Sequence, residues 1–167
     1  MSMEHIVITG QGTAQQASRA LADAIEKKHV SHIYGNIWQG NFFEDPMLPV
    51  EFKSVVSLYP WQRLALNPTV LQNRVEYLMY DTEDLPVNED VVLSAAQLTL
   101  AFARKGPVLV HCQAGLNRSG LVVATALWLN GMDPIQAIKL VREKRSPLAL
   151  RNQRFLGFIE GLTRHGS

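Results

Sequence analysis

Apolar positions along the chain follow two periods. Ser54-Val55-Val56-Ser57-Leu58, Val75 to Tyr80 and Val108-Leu109-Val110-His111 are short, dense, partly β-branched runs, as buried strands require, and His5 to Thr9 is a shorter candidate. Between them the spacing changes to that of helices. Ala17, Leu21, Ala24 and Ile25 predict a helix over roughly Ala14 to Lys28. Asn88 can cap a second helix whose inner face would be Val91, Ala95, Leu98, Thr99 and Phe102. Leu121 to Leu129 is apolar on all sides, which predicts a central buried helix ending at Asn130-Gly131. Asp133 and Pro134 open another with Ile135, Ile138 and Val141 inward, closed by Arg142, Lys144 and Arg145 at its negative dipole end. A last helix, about Asn152 to Leu162, carries Phe155, Phe158, Ile159 and Leu162. Strands alternating with helices imply an α/β fold, a central mainly parallel twisted sheet with helices on both faces.

Composition sets the limits. A chain of 167 residues with 47% hydrophobic and 19% charged positions suits one globular domain, 1–167, and no repeat, low-complexity tract or linker divides it. The net charge of +1 gives no general case for nucleic acid or a membrane surface. One cysteine excludes an internal disulfide framework and suits a reducing compartment. The first residues lack a secretory signal and no apolar run is long enough to span a bilayer, so a cytoplasmic protein is expected. A monomer is expected as well.

The chemistry is concentrated after the Val108 run, in His111-Cys112-Gln113-Ala114-Gly115-Leu116-Asn117-Arg118-Ser119-Gly120. A strand feeding a tight loop and then a helix aims several backbone N–H groups at one point. Such a nest binds a tetrahedral anion, and Arg118 can add a planar two-toothed grip. Cys112 would lie at the floor, where positive potential favours thiolate over thiol. The loop therefore reads as a phosphate cradle, built from Gln113, Ala114, Gly115, Leu116, Asn117 and Arg118, that contains a nucleophile.

His-Cys-x5-Arg-Ser, with Gly115 and Gly120 in place, resembles the signature of cysteine-dependent protein tyrosine phosphatases, and most closely the dual-specificity branch. Ile33 to Gly40 resembles that branch's opening strands, with their aromatic-x-Gly step, and the likeness runs from about Ile33 to Leu162. Residues 1–32 form an N-terminal strand and helix extension to a catalytic core at 33–162. The resemblance implies that Cys112 attacks phosphorus, Arg118 holds the phosphoryl oxygens, Ser119 donates its hydroxyl to the sulfur and His111 supports the loop. It also implies an acid on an upstream aspartate. Asp81, 31 residues ahead of Cys112, fits that separation; Asp84 and then Glu83 are the alternatives. No metal or cofactor is implied.

The expected substrates are phosphotyrosine and phosphoserine or phosphothreonine in proteins. Gln113, Leu116 and Asn117 stand where phosphoinositide phosphatases place lysines. Asn117 before the arginine is less usual for protein phosphatases and resembles RNA 5′-triphosphatases, which often dispense with the aspartate. Asp81 and the near-neutral charge argue against RNA. The remaining alternative is a phosphate-reading pseudophosphatase, against which Cys112 and Arg118 together argue. The family's Pro-Asn-x-x-Phe step survives only in part, as Arg151-Asn152-Gln153-Arg154-Phe155. Elsewhere plain structural readings are preferred: Gly10-Gln11-Gly12 is a turn rather than a dinucleotide fingerprint, His29 and His32 are helix-end residues rather than metal ligands, and Trp61 and Arg63 are core or surface rather than cleft.

Overall fold

The computed structural model describes residues 29–41, 50–59 and 73–163. The strand and helix predicted over His5 to Lys28, the Gly10-Gln11-Gly12 turn, and Trp61 and Arg63 lie outside these residues.

Five strands form one mixed, mostly parallel sheet: β1 Val30–Tyr34, β2 Ile37–Gly40, β3 Ser54–Ser57, β4 Arg74–Glu76 and β5 Val108–His111. Their order is β1-β2-β5-β3-β4, with only the β1–β2 pair antiparallel. Gly35 makes the β1–β2 turn with φ +54°, a conformation that glycine adopts without strain. β5 lies in the middle of the sheet, and all four of its residues are buried. That is why its sequence is a continuous apolar run rather than an alternation.

Among the described residues four helices accompany the sheet: α1 Glu89–Ala103, α2 Arg118–Leu129, α3 Pro134–Lys144 and α4 Gln153–Glu160. Asn88, Asp133 and Asn152 cap α1, α3 and α4 by accepting from Val91, Ile135 and Phe155 N–H groups. α2 is buried continuously from Ser119 to Leu127, and it packs against α1, α3 and α4 as its all-round apolarity predicts. Val56, Val108 and Val110 share one apolar cluster with these helices, and Cys112 belongs to it. Parity along β5 therefore sends His111 to the opposite face, with Leu109. On that face Phe52 meets Trp38 edge-on at 5.8 Å.

Three sequence expectations need correction. His32, expected at a helix end, is the third residue of β1 and pairs with Trp38 of β2. The Val75 to Tyr80 run is strand only to Glu76. Beyond it Leu78 and Tyr80 are 72% and 63% exposed, because the chain leaves the sheet there and heads for the Asp81 loop. The buried face of α1 is Val92, Ala95, Ala96 and Thr99 rather than the stripe through Val91, Leu98 and Phe102, which are half-buried at its margin.

Candidate active site

Cys112 follows the last residue of β5, and its N–H donates to the Gly40 carbonyl at 3.2 Å. The sulfur is buried and lies 3.2 Å from Ser119 Oγ and 3.5 Å from Ser119 N. Between them the loop turns through Gly115 at φ +71°. A Cβ there would stand 2.5 Å from the Gly40 carbonyl and 2.7 Å from Arg145 Nη2, so glycine is required for space as well as conformation.

α2 begins at Arg118 with Asn117 at its N-cap, but Asn117 makes no side-chain capping bond. Its side chain instead turns outward, where Oδ1 accepts from the Arg151 and Asn152 N–H groups at 2.9 and 3.2 Å and Nδ2 donates to Asp81 Oδ2 at 3.0 Å. The positive end of α2 is thus directed at the cradle. Arg118 Nη1 points at the Leu58 and Met79 carbonyls, 3.4 Å from each, and its guanidinium carbon is 5.6 Å from the Tyr59 ring centroid. Nε is buried and has no hydrogen-bond partner among the described residues. Nη1 is thus anchored on backbone carbonyls, while the buried Nε is left with its proton unmet.

Asp81 is exposed and gripped on both oxygens: Asn152 Nδ2 donates to Oδ1 at 2.8 Å and Asn117 to Oδ2. Thr82 and Glu83 tie the same loop to α4, through Thr82 O to Asn152 Nδ2, Glu83 Oε1 to Gln153 N and Glu83 O to Arg154 Nε. Glu83 is therefore occupied at the start of α4. Asp84 is exposed, and its N–H donates to Thr82 Oγ1 within the loop. Of the three acidic candidates, Asp81 is the one bonded to a cradle residue.

His111 is fully buried, and its Nε2 lies 2.7 Å from Ser57 Oγ, which also accepts from Arg74 Nε. Its pKa falls from 6.5 to about 3, chiefly through burial and then the Arg74 charge; the Arg118 charge adds to this, and a hydrogen bond with the Cys112 backbone opposes it. His111 is neutral at physiological pH and lies on the far face of β5 from the sulfur.

Sequence reasoning missed three residues of this site. Arg145, read as a dipole residue, is buried: Nε donates to Gly115 O at 2.9 Å, Nη2 to Ala114 O at 3.3 Å and Nη1 to Ser31 Oγ at 3.2 Å. Burial draws its pKa from 12.5 to about 10, opposed by the charge of Cys112, so it remains a cation beneath the loop. Gln39 is buried in β2 with Nε2 bonded to Gly115 O and Ser119 Oγ. Asn152 is both the cap of α4 and an anchor of Asp81. A lone glutamine inside a buried strand was a readable signal for Gln39; no comparable signal separated Arg145 from its neighbours. His29 Nδ1 and His32 Nε2 bond Asn41 Oδ1 and Gly35 O respectively, and no group of three or more potential metal-ligating residues gathers among the described residues.

A mostly parallel sheet whose central strand leads into a cysteine, a tight loop and a helix N-terminus is the arrangement of the cysteine-dependent phosphatase class. Residues 43–163 match the family described as "Dual specificity phosphatase, catalytic domain", and the chain belongs to that family. It is 50% identical over 76 residues to the Dictyostelium discoideum protein named "Probable protein tyrosine phosphatase type IVA B", covering 43% of this chain and 47% of that one. It is 46% identical over 41 residues to the type IVA A protein of the same organism, a quarter of each chain. The matches thus span a quarter to about half the length of these relatives. The crystal structure of human DUSP28 is similar in fold, with a TM-score of 0.64 at 18% identity over 78% of this chain and 90% of that one. Among the described residues no helix is long and apolar enough to cross a membrane.

Proposed function

We propose that the protein is a cysteine-dependent phosphomonoester hydrolase acting on phosphotyrosine, and on phosphoserine or phosphothreonine, in proteins. The observation that carries this reading is the meeting of the Cys112 sulfur with the N-terminus of α2, where Ser119 N lies 3.5 Å from the sulfur and Arg118 is the first helical residue. The Cys112 thiolate attacks phosphorus in line with the leaving oxygen. Loop amides from Gln113 to Arg118 and the Arg118 guanidinium hold the equatorial oxygens as charge builds there. Asp81 gives the leaving oxygen its proton. Water, giving a proton to the Asp81 carboxylate, then attacks the cysteinyl phosphate; the P–S bond breaks and its electron pair returns to sulfur beside the Ser119 hydroxyl.

The lack of lysine in the cradle supports a phosphoprotein over a highly charged inositol head group, and an aspartate bonded to the cradle supports an acid-assisted phosphatase over an RNA 5′-triphosphatase or a pseudophosphatase. The test is turnover of para-nitrophenyl phosphate, followed by a panel of phosphopeptides, phosphoinositides and RNA 5′-triphosphate. Cys112→Ser should abolish turnover and retain phosphate binding, since a serine hydroxyl has no comparable anionic fraction at neutral pH. Parent activity in that variant removes the mechanism, and preference for a phosphoinositide or RNA removes the substrate class.

A further inference from the structure

Gln39 stands at the middle position of the aromatic-x-Gly step in β2, entirely shielded from solvent. Its orientation follows from chemistry rather than from the placement of atoms alone. The Gly115 carbonyl can only accept, so the Gln39 atom 3.0 Å from it must be the amide nitrogen. The same nitrogen is 3.2 Å from Ser119 Oγ. An amide N–H cannot accept, so Ser119 Oγ is the acceptor there. A protonated Cys112 sulfur, 3.2 Å away, can donate to the same oxygen. Once it is a thiolate or the leaving sulfur of a cysteinyl phosphate it can only accept, and the one hydroxyl proton, with Gln39 donating to its oxygen, is left for it.

A second observation separates this arrangement from a packing role. Gln39 Oε1 is buried without a hydrogen-bond partner among the described residues. An unmet buried acceptor costs stability, and a leucine or methionine of similar volume would avoid that cost. The Gly115 carbonyl would stay bonded without Gln39, because Arg145 Nε also donates to it at 2.9 Å. What only Gln39 supplies is the direction of the Ser119 hydroxyl.

We propose that Gln39 is a positioning residue for hydrolysis of the phosphoenzyme: it aims the Ser119 proton at the Cys112 sulfur. The proposal rests on the cysteinyl-phosphate mechanism above. In the step concerned, a water oxygen bonds to phosphorus, its proton passes to Asp81, the P–S bond breaks and both its electrons go to sulfur. The hydroxyl proton is not transferred; it hydrogen-bonds the developing thiolate. In the first step the thiolate is consumed rather than formed, so the same bond gives no advantage there.

The test is stopped-flow kinetics of the full chain with para-nitrophenyl phosphate, comparing the parent, Gln39→Leu, Gln39→Met, Ser119→Ala and the Gln39→Leu/Ser119→Ala pair. The expected loss in kcat is about tenfold or more, as for one hydrogen bond to a charged group. KM should fall in parallel, leaving kcat/KM within about twofold, because kcat/KM reports only steps up to departure of nitrophenolate. A burst approaching one nitrophenolate per active site should precede the slow phase. The paired variant should be no slower than Ser119→Ala alone, since both substitutions remove one interaction. The midpoint of thermal unfolding should be unchanged or higher. Parent kcat in both single Gln39 variants overturns the proposal, as do equal losses in kcat and kcat/KM without a burst, additivity with Ser119→Ala, or failure of both variants to fold. A parent enzyme that neither turns over nor forms a trappable phosphoenzyme overturns the catalytic reading itself.

Discussion

Asn117 Nδ2 donates to Asp81 Oδ2 over 3.0 Å, so the last cradle residue before the arginine is bonded directly to the carboxyl proposed as the acid. The other end of that amide accepts from Arg151 N–H, a bond that the proline usual in the family at this step could not make. Two departures from the family pattern thus meet in one hydrogen bond. Asn117→Ser should leave Asp81 held by Asn152 alone and lower the rate on phenyl phosphate by roughly tenfold, the scale of one charged hydrogen bond, with less effect on para-nitrophenyl phosphate. Arg151→Pro should act in the same direction but more weakly. Equal losses on the two substrates would show that the bond does not serve the acid.

Asp81→Asn should steepen the dependence of rate on leaving-group pKa. Phosphoserine and phosphotyrosine need a proton on the leaving oxygen, whereas para-nitrophenolate needs it far less. The loss with a poor leaving group should be about 10²–10⁴-fold. The limb of activity that falls as pH rises should go with it, because that limb reports the protonated acid. Asp84→Asn should change neither. A steepened dependence in Asp84→Asn alone would move the acid to Asp84.

Arg145 joins α3, β1 and the cradle through bonds to Gly115, Ala114 and Ser31. Arg145→Lys retains a charge but cannot reproduce a planar fork with three separate acceptors. It should destabilise the fold by about 2–4 kcal/mol, the range for breaking a buried charged network, and lower kcat/KM as the loop loosens. Denaturant unfolding and para-nitrophenyl phosphate kinetics together check this. A variant with parent stability and parent activity would remove Arg145 from the site.

His111 titrates near 3 in the folded chain and near 6.5 when unfolded, so the unfolded chain binds the extra proton between those values. Its contribution is fully present above pH 6.5 and is lost as pH falls through 3, by on the order of 5 kcal/mol in all. Urea unfolding from pH 7 down to pH 4 should show this slope, and His111→Gln should flatten it. An unchanged slope in that variant would place the acid sensitivity on other groups.

The nucleophile loop was legible because its chemistry is contiguous: strand, cysteine, glycine, arginine and helix follow one another in the sequence, and backbone geometry alone makes them converge. α2 was legible because a helix apolar on every side has only one place to go. The same local reasoning failed where two causes predict one residue. Arg145 satisfies a helix dipole as well as it satisfies buried carbonyls, and only the approach of β1 and the cradle distinguishes them. β4 was drawn too long because Tyr77 to Tyr80 has strand composition, whereas the parallel ladder with β3 ends at Glu76. The α1 stripe was drawn off-centre because Ala96, which counts little in an apolar pattern, is buried together with Val92, Ala95 and Thr99.

The dependence of the cradle on Arg145 and Asn152 also sets an order of events during synthesis. A ribosome finishes Asp81, Cys112 and Arg118 well before the groups that fix them have been made. Domains fold as their segments emerge, but here the sheet strand and its cysteine must wait for the end of α3 and the start of α4. Until then the Gly115 carbonyl lacks its arginine and Asp81 lacks its second amide. A growing chain that has reached Leu140 therefore contains the whole signature sequence but neither Arg145 nor Asn152, and the bonds these two residues make to Gly115 and Asp81 can form only after both have emerged.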